Sequence, residues 1–263
     1  MSAGPTVIVT GASSGIGRAL ARAWAKKGAR VVLSARGEAA LTEVARGIES
    51  YGGSAISVPG DVTREEDRAK LIETARAQTG RLDVLVNNAG RGYYGSALRI
   101  DPAELTDLFS LNVVAPLRLA QLAIDPLTRT GGCIVMMSSI AGVVASPRMG
   151  AYAATKFALE AVSMSLRAEL AGTGVRVVVV RPGPVETPFR EHAITTDGKA
   201  GVRPRAAGVQ TAEEVAEQTV RAVERGQAVM ETTPFVRVAS AAARIAPGAV
   251  RWVTRAMAAR RSG

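Results

Sequence analysis

Tyr152 and Lys156 stand four residues apart in the stretch Tyr-Ala-Ala-Thr-Lys, and a serine, Ser139, precedes the tyrosine by 13 residues. Side chains separated by four share one face of a helix. An ammonium group held there lies beside the phenol and favours its ionised form. With its ordinary pKa near 10 a tyrosine is of no use as a base at neutral pH, so a neighbouring cation is the simplest way to recruit it. The chemistry this suggests is proton transfer by a phenol. The pair alone is common, however, because Tyr-x-x-x-Lys arises by chance in many surface helices. Its neighbours in the chain must carry the argument.

The elements that would position these residues follow a repeating order. Short apolar runs occur at Thr6–Thr10, Arg30–Ala35, Ala55–Pro59, Val84–Asn87, Cys133–Ser138 and Arg176–Arg181, with a weaker one at Ala228–Met230. Helical patterns fall between them at Ile16–Lys27, Glu38–Ser50, Glu65–Thr79, Pro102–Leu127, Ala151–Ala171 and Ala212–Arg225. Runs that are valine-rich throughout, such as Val177–Val180, are those of strands buried on both faces. The alternation predicts an α/β fold: a doubly wound, mainly parallel seven-stranded sheet with helices on both faces. No change of composition divides residues 1–230, which read as one domain. Residues 189–210 are polar and without period, follow a strand at the carboxyl edge of the sheet, and read as a mobile substrate lid. Residues 231–263 read as a basic C-terminal extension.

Between the first strand and the first helix lies Thr10-Gly11-Ala12-Ser13-Ser14-Gly15-Ile16-Gly17. Glycines at these spacings let the backbone turn tightly and approach a pyrophosphate, and the helix amino end offers free N–H groups and a positive dipole. The spacing is Gly-x3-Gly-x-Gly rather than the commoner Gly-x-Gly-x-x-Gly.

With this turn in place, the chain resembles the short-chain dehydrogenase/reductase family in its shorter, single-domain branch. The resemblance runs from Thr6 to about Arg225. It is carried by the glycine turn, Asp61-Val62, Asn87-Asn88-Ala89-Gly90, Asn112, Ser139, Tyr152 with Lys156, and Arg181-Pro182-Gly183-Pro184-Val185-Glu186-Thr187. It implies a Rossmann fold, a nicotinamide cofactor and interconversion of a carbonyl and an alcohol. Tyr152 would be the general acid or base. Lys156 would lower the pKa of Tyr152 and bond the nicotinamide ribose. Ser139, rather than its neighbour Ser138, would donate to the substrate oxygen. Asn112 would hold a water leading protons to the lysine; read by itself, it is a helix-interior amide bonded to backbone. Cofactor contacts are expected from Gly11, Ser13, Ser14, Gly15, Ile16, Gly17, Asn88, Ala89, Gly90, Pro182, Gly183, Val185 and Thr187. Asp61 would hold the adenine amino group beside Val62; alternatively it is a loop or capping aspartate, and Thr63 is itself a plausible cap for the next helix.

After the second strand a carboxylate would accept the adenosine ribose hydroxyls. This chain has Ser34-Ala35-Arg36 there, and an arginine can pair with a 2′-phosphate, so NADP(H) is the expected cofactor. The residues expected around the substrate are Tyr93, Tyr94, Val143, Val144, Met149, Pro184 and Phe189. They are mainly apolar, which points to a small lipophilic ketone, aldehyde or alcohol. Packing at the loop base remains open for the two tyrosines. Reduction of a 3-oxoacyl group on an acidic carrier protein is an alternative, and a non-catalytic NADP sensor or scaffold is another.

Composition limits the rest. The formal charge is +10, but aromatic residues make up only 4% and do not interleave with basic ones, so nucleic-acid binding has no support beyond charge. The single cysteine, Cys133, opens an apolar run and reads as a buried thiol. One histidine, His192, and one cysteine suit no zinc site, so no metal is expected; His192 reads as a solvent-facing loop residue. The first apolar run begins almost at Met1, which suggests no signal peptide and a cytoplasmic setting. Family members commonly pair through their two long helices, implying a homodimer or homotetramer. From Gly226 to Gly263 there are six arginines and one acid, Glu231. Arg251 and Arg255 share one helix face, Val250, Val253 and Met257 another, with Trp252 at the flank, and Pro247-Gly248 divides the segment into two short helices. Such a tail either folds over the substrate pocket, packs on a partner subunit, or makes peripheral contact with an anionic membrane.

Overall fold

The computed structural model describes residues 4–196 and 209–259. Seven strands form one sheet: β1 (Thr6–Thr10), β2 (Arg30–Ala35), β3 (Ser54–Pro59), β4 (Val84–Asn87), β6 (Cys133–Met137), β7 (Arg176–Arg181) and β9 (Val229–Glu231). Their order is β3-β2-β1-β4-β6-β7-β9, and every pairing is parallel. The order reverses between β1 and β4, so the crevice at their carboxyl ends is where a ligand belongs in such a sheet. Helices α1 (Gly15–Lys26), α2 (Glu38–Glu49) and α7 (Ala212–Glu224) cover one face; α3 (Glu65–Thr79), α5 (Ala115–Thr130) and α6 (Gly150–Glu169) cover the other. Burial on both faces explains the unbroken valines: Val177–Val180 sit between the two core layers, odd positions in one and even positions in the other. Cys133 is a buried free thiol that burial pushes up to about 12.

Three features depart from the sequence reading. The long helix expected from Pro102 is α4 (Pro102–Phe109) and α5 joined by a π-helical turn at Ser110–Val114, which carries Asn112. The extra residue per turn in a π segment rotates that side chain out of the α-helical series, a distortion frequent at functional sites. A second, two-stranded parallel sheet, β5 (Tyr93–Tyr94) with β8 (Ile194–Thr195), ties the start of the expected lid to the loop after Gly90. Residues 197–208 of that lid lie outside the described residues. Thr63 does not cap α3: Arg64 occupies the cap position, and the Thr63 hydroxyl and backbone N–H both donate to Asp61 Oδ1, at 2.7 and 2.9 Å. The C-terminal segment does form two helices, α8 (Pro234–Ile245) and α9 (Pro247–Ala259), parted at Ala246-Pro247. Proline there ends the first helix and starts the second at low cost, because the first position of a helix needs no N–H.

Arg181, the last residue of β7, locks three elements together. Its Nε and Nη2 donate to the Glu160 carboxylate of α6 at 2.9 and 2.8 Å, and its Nη1 donates to Glu231 of β9 at 3.0 Å. The three side chains are 5%, 15% and 21% exposed, so removing the cation strands two carboxylates away from water. Arg181→Ala is expected to lower the unfolding free energy in urea by about 3 kcal/mol, and adding Glu160→Gln to that variant should restore part of the loss.

Candidate active site

One cavity of about 1370 Å³ opens at the carboxyl edge of the sheet. It is lined along its length by the glycine turn, by the ends of β2, β4 and β6, and by Tyr152, Lys156 and Pro182–Phe189. At the turn, Gly11 has φ +64°, and a Cβ there would lie 2.9 Å from the Ala89 Cα. A Cβ on Gly17 would lie 2.1 Å from the Gly11 carbonyl oxygen. Only glycine lets the two segments close on each other. Asn88 fastens them further. Its Nδ2 donates to the Thr10 carbonyl at 2.9 Å, while the Thr10 hydroxyl accepts from the N–H of Asn88 and of Ala89, both at 3.0 Å. At the start of α1, Ser14 is the N-cap but its side chain makes no capping bond, and the first turn has no acidic residue. The free N–H groups and dipole of this helix end therefore face the cavity, as a diphosphate would require.

Every residue expected to touch a cofactor lines this cavity: Gly11, Ser13, Ser14, Gly15, Ile16, Gly17, Arg36, Asp61, Val62, Asn88, Ala89, Gly90, Pro182, Gly183, Val185 and Thr187. Asp61 is held ionised. Burial works against this, but the two bonds from Thr63 and the charge of Arg36 prevail and put its carboxyl below the usual range. The Arg36 charge is therefore felt at Asp61, on the adjacent strand end, where an adenosine would lie.

The proposed proton-transfer group sits deeper. Tyr152, in the first turn of α6, is 6% exposed, and Lys156, one turn on, is 5% exposed. Lys156 Nζ lies 5.8 Å from the Tyr152 ring centroid and donates to the Met137 carbonyl at 2.8 Å. Helix spacing thus brings the pair together as expected, but the predicted lowering of the tyrosine pKa is not what the surroundings give. Burial dominates and drives the phenol well above its usual value, the hydrogen bond with Ser139 opposes it, and nearby Tyr94 adds to the rise. Burial also lowers Lys156, to about 8, and the Glu160 carboxylate pushes the other way. The pair is set as a neutral phenol beside a marginal ammonium, an arrangement suited to donating a proton rather than waiting as a phenolate.

Ser139, not Ser138, faces this pair. Ser139 is the N-cap of a short 3₁₀ turn, Ile140–Gly142, and its Oγ accepts from the Ala141 N–H at 3.1 Å. That bond fixes the oxygen and leaves its own proton to be directed at Tyr152 or a substrate. Asn112 is fully buried; its Nδ2 donates to the Arg91 carbonyl at 2.9 Å and to Thr155 Oγ1 at 3.0 Å, and its Oδ1 accepts from the Arg91 N–H at 3.0 Å. Both N–H donors are thus engaged by protein. What the side chain does is clamp the loop after Gly90 onto α6, close to the backbone-bonded amide that its sequence position alone suggested.

Of the expected substrate-pocket residues, Tyr94, Val144, Met149, Pro184 and Phe189 line the cavity. Tyr93 does not: it is fully buried and its hydroxyl donates to the Ser96 carbonyl at 2.7 Å, so it packs the loop base. Val143 is likewise absent from the wall. Adjacent strand residues point to opposite sides, which is why only one of Tyr93 and Tyr94 can reach the cavity. The Phe189 ring meets Tyr152 edge-on at 5.8 Å. His192 is exposed, as expected, and stands at the cavity rim. Sequence reasoning missed Glu160, although it lies four residues beyond Lys156 on the same helix face. It also left open where the tail goes: Phe235, Ala239 and Ala242 of α8, and Ala249, Val250 and Thr254 of α9, line the cavity. The tail therefore folds over the substrate end of the cavity. The side chains of Arg251, Val253 and Met257 and residues 260–263 lie outside the described residues.

The chain matches the family model for short chain dehydrogenase over residues 5–198. It is 35% identical over 221 residues to a ketoacyl reductase, HetN, of Nostoc sp., covering 84% of this chain and 75% of that one. It spans from 54% to 79% of the length of the curated relatives it matches. A short-chain dehydrogenase from Sphingobium yanoikuyae, solved in complex with NADPH, has a TM-score of 0.79 at 29% identity, with 96% of this chain and 95% of that chain covered. A second, from Burkholderia phymatum in complex with NAD, has a TM-score of 0.83 with 95% of each chain covered; at 24% identity it shows the shared fold.

If Lys156 must be charged to hold Tyr152 in its working state, kcat/KM for carbonyl reduction should fall as pH rises through about 8. Glu160 supports that charge, so Glu160→Gln should move the midpoint to lower pH. The stability effect runs oppositely. A lysine whose pKa is lowered by folding costs stability while it is charged, so that cost is relieved as pH rises from about 8 towards the unfolded value of 10.5. A pH–rate profile with an unmoved midpoint in Glu160→Gln would show that the carboxylate does not act on Lys156.

Proposed function

Because the chain belongs to the short-chain dehydrogenase/reductase family, we propose that this oxidoreductase uses NADP(H) to interconvert a small lipophilic ketone or aldehyde and its alcohol. The observation that carries this reading is the meeting of Ser139, Tyr152 and Lys156 with the glycine turn in one cavity. When bound, the nicotinamide supplies the hydride or accepts it. In reduction, the carbonyl oxygen gains a proton as the carbon gains hydride. Tyr152 is the donor: its buried phenol holds the proton until charge grows on that oxygen. The Ser139 hydroxyl gives the same oxygen a hydrogen bond that strengthens as the charge develops. The Lys156 ammonium then stabilises the phenolate left on Tyr152.

Preference for NADP(H) is supported by Arg36, which lines the adenosine end of the cavity with Ser34 and Gly37 and no carboxylate at the end of β2. The apolar side chains of Val144, Met149, Phe189 and Val250 support a lipophilic substrate. A 3-oxoacyl thioester is the second reading, favoured by the name of the Nostoc relative and by the +10 charge, which suits an acidic carrier. A reducing, cytoplasmic setting belongs to the same proposal, as the only cysteine is a free thiol. So does pairing of two copies through α4–α5 and α6, whose exposed Val114, Phe157 and Met164 await a cover.

Oxidation of NADPH with carbonyls of graded size and polarity tests the reading. Tyr152→Phe should reduce kcat about a hundredfold or more while leaving cofactor binding intact. Arg36→Ala should raise KM for NADPH about tenfold or more and leave that for NADH nearly unchanged. Equal effects on the two cofactors would overturn the NADP(H) preference.

A further inference from the structure

The helices α8 and α9 do more than close the cavity. Ala239 and Ala242 of α8 face into it, and Phe235 both lines it and remains 66% exposed. Val238 and Ile245 on the same helix are 69% and 85% exposed. At 3.6 residues per turn, Phe235, Val238 and Ile245 fall within a sector of roughly 80°. One edge of that sector overlaps the cavity-facing alanines. Arg237 and Arg244, which are exposed and pair with no carboxylate among the described residues, lie roughly 80–100° beyond the other edge, on the side of α8 turned away from the cavity. The outer side of α9 adds Trp252, 73% exposed, and exposed Arg255. An apolar stripe thus leads from the cavity wall to the outside, with the arginines further round the helix beyond it, where long side chains can reach headgroups at its flank.

A water-facing pair of helices has no use for four large apolar side chains left uncovered, three on α8 and one on α9, and charge decides what covers them. No acidic residue follows Glu231, whereas six arginines do. A second copy of this chain would bring the same arginines and another +10 to the contact, so self-pairing through this face is repelled. An anionic bilayer meets both requirements: headgroups for the arginines, and an acyl boundary for Phe235, Val238, Ile245 and Trp252. We propose that the α8–α9 hairpin docks on an anionic lipid surface and opens the substrate end of the cavity towards it, so that a lipophilic substrate enters from the membrane. The entry route rests on the proposed lipophilic substrate; the docking does not.

The test is co-sedimentation of the full chain, without cofactor or substrate, with phosphatidylcholine vesicles that contain or lack phosphatidylserine. Wild-type protein should pellet with the anionic vesicles at low salt and stay in solution with the neutral ones. Arg237→Glu with Arg244→Glu should weaken binding about tenfold or more, and Val238→Ser with Trp252→Ser should abolish the part that resists salt. Tyr152→Phe should pellet as wild type does, which separates failure of docking from failure of the enzymatic reading. For entry, the charge-reversal variant should lose turnover of a long-chain ketone carried in anionic vesicles while keeping that of a water-soluble ketone. Wild-type protein left in the supernatant with anionic vesicles, sedimentation without vesicles through self-association, or binding untouched by both double variants would each overturn the proposal.

Discussion

Lys156 carries a positive charge to a place that water scarcely reaches, and the arrangement of the site follows from making that tolerable. Burial weakens the hold of the ammonium on its proton. The Met137 carbonyl, at the carboxyl end of β6, accepts a hydrogen bond from it, and the Glu160 carboxylate one turn further along α6 supplies opposing charge. Glu160 would itself be costly there without Arg181, which holds it with two bonds and reaches on to Glu231. The chain of contacts therefore runs from the reacting phenol through an ammonium, a carboxylate and a guanidinium to the last strand of the sheet. Proton chemistry and the cohesion of the sheet edge share the same residues.

A second set of constraints acts at the glycine turn. There the backbone after β1 and the backbone after β4 come within van der Waals contact, because side chains are missing at Gly11 and Gly17 and because Asn88 and Thr10 bond the two segments together. This closeness forms the floor of the cavity at the point where strand order reverses. The π turn at Asn112 serves the opposite wall: it aims one amide at the loop after Gly90 and at Thr155, so the nucleotide end and the tyrosine helix are held in fixed relation. Rigid supports on three sides contrast with the fourth, where Phe189, His192 and the α8–α9 hairpin form a roof of short elements. Substrate selection falls to that roof, since the other walls are committed to the cofactor and the proton.

Much of this was legible in the chain. Alternating short valine-rich runs and amphipathic helices dictate a parallel sheet with two covered faces, because strands buried on both sides can have no polar alternation. The order of the motifs dictates that the turn, Asp61, Asn88, Ser139, Tyr152, Lys156 and Thr187 meet, since in a doubly wound sheet all βα loops emerge at one edge. Local rules were enough for these. They were also enough for Tyr152 and Lys156, whose separation fixes their common face, and for the split of the tail at Pro247.

What only the tertiary structure decided depends on environment rather than spacing. Helix geometry places an ammonium beside the phenol, but how far the phenol is cut off from water is set by how deeply α6 is buried, and that burial, opposed only by the Ser139 hydrogen bond, raises Tyr152. Sequence could not tell that Tyr94 reaches the cavity while Tyr93 packs behind it, because that follows from the pairing of β5 with β8, a contact between segments about 100 residues apart whose strands are too short to show a pattern. Nor could it tell that the tail folds back over the substrate end. An apolar stripe states that a helix must be covered along one face, and leaves unstated by what. That was fixed by where β9 ends: Thr233 starts α8 at the carboxyl edge of the sheet, and a helix begun there has the open cavity as its nearest apolar surface.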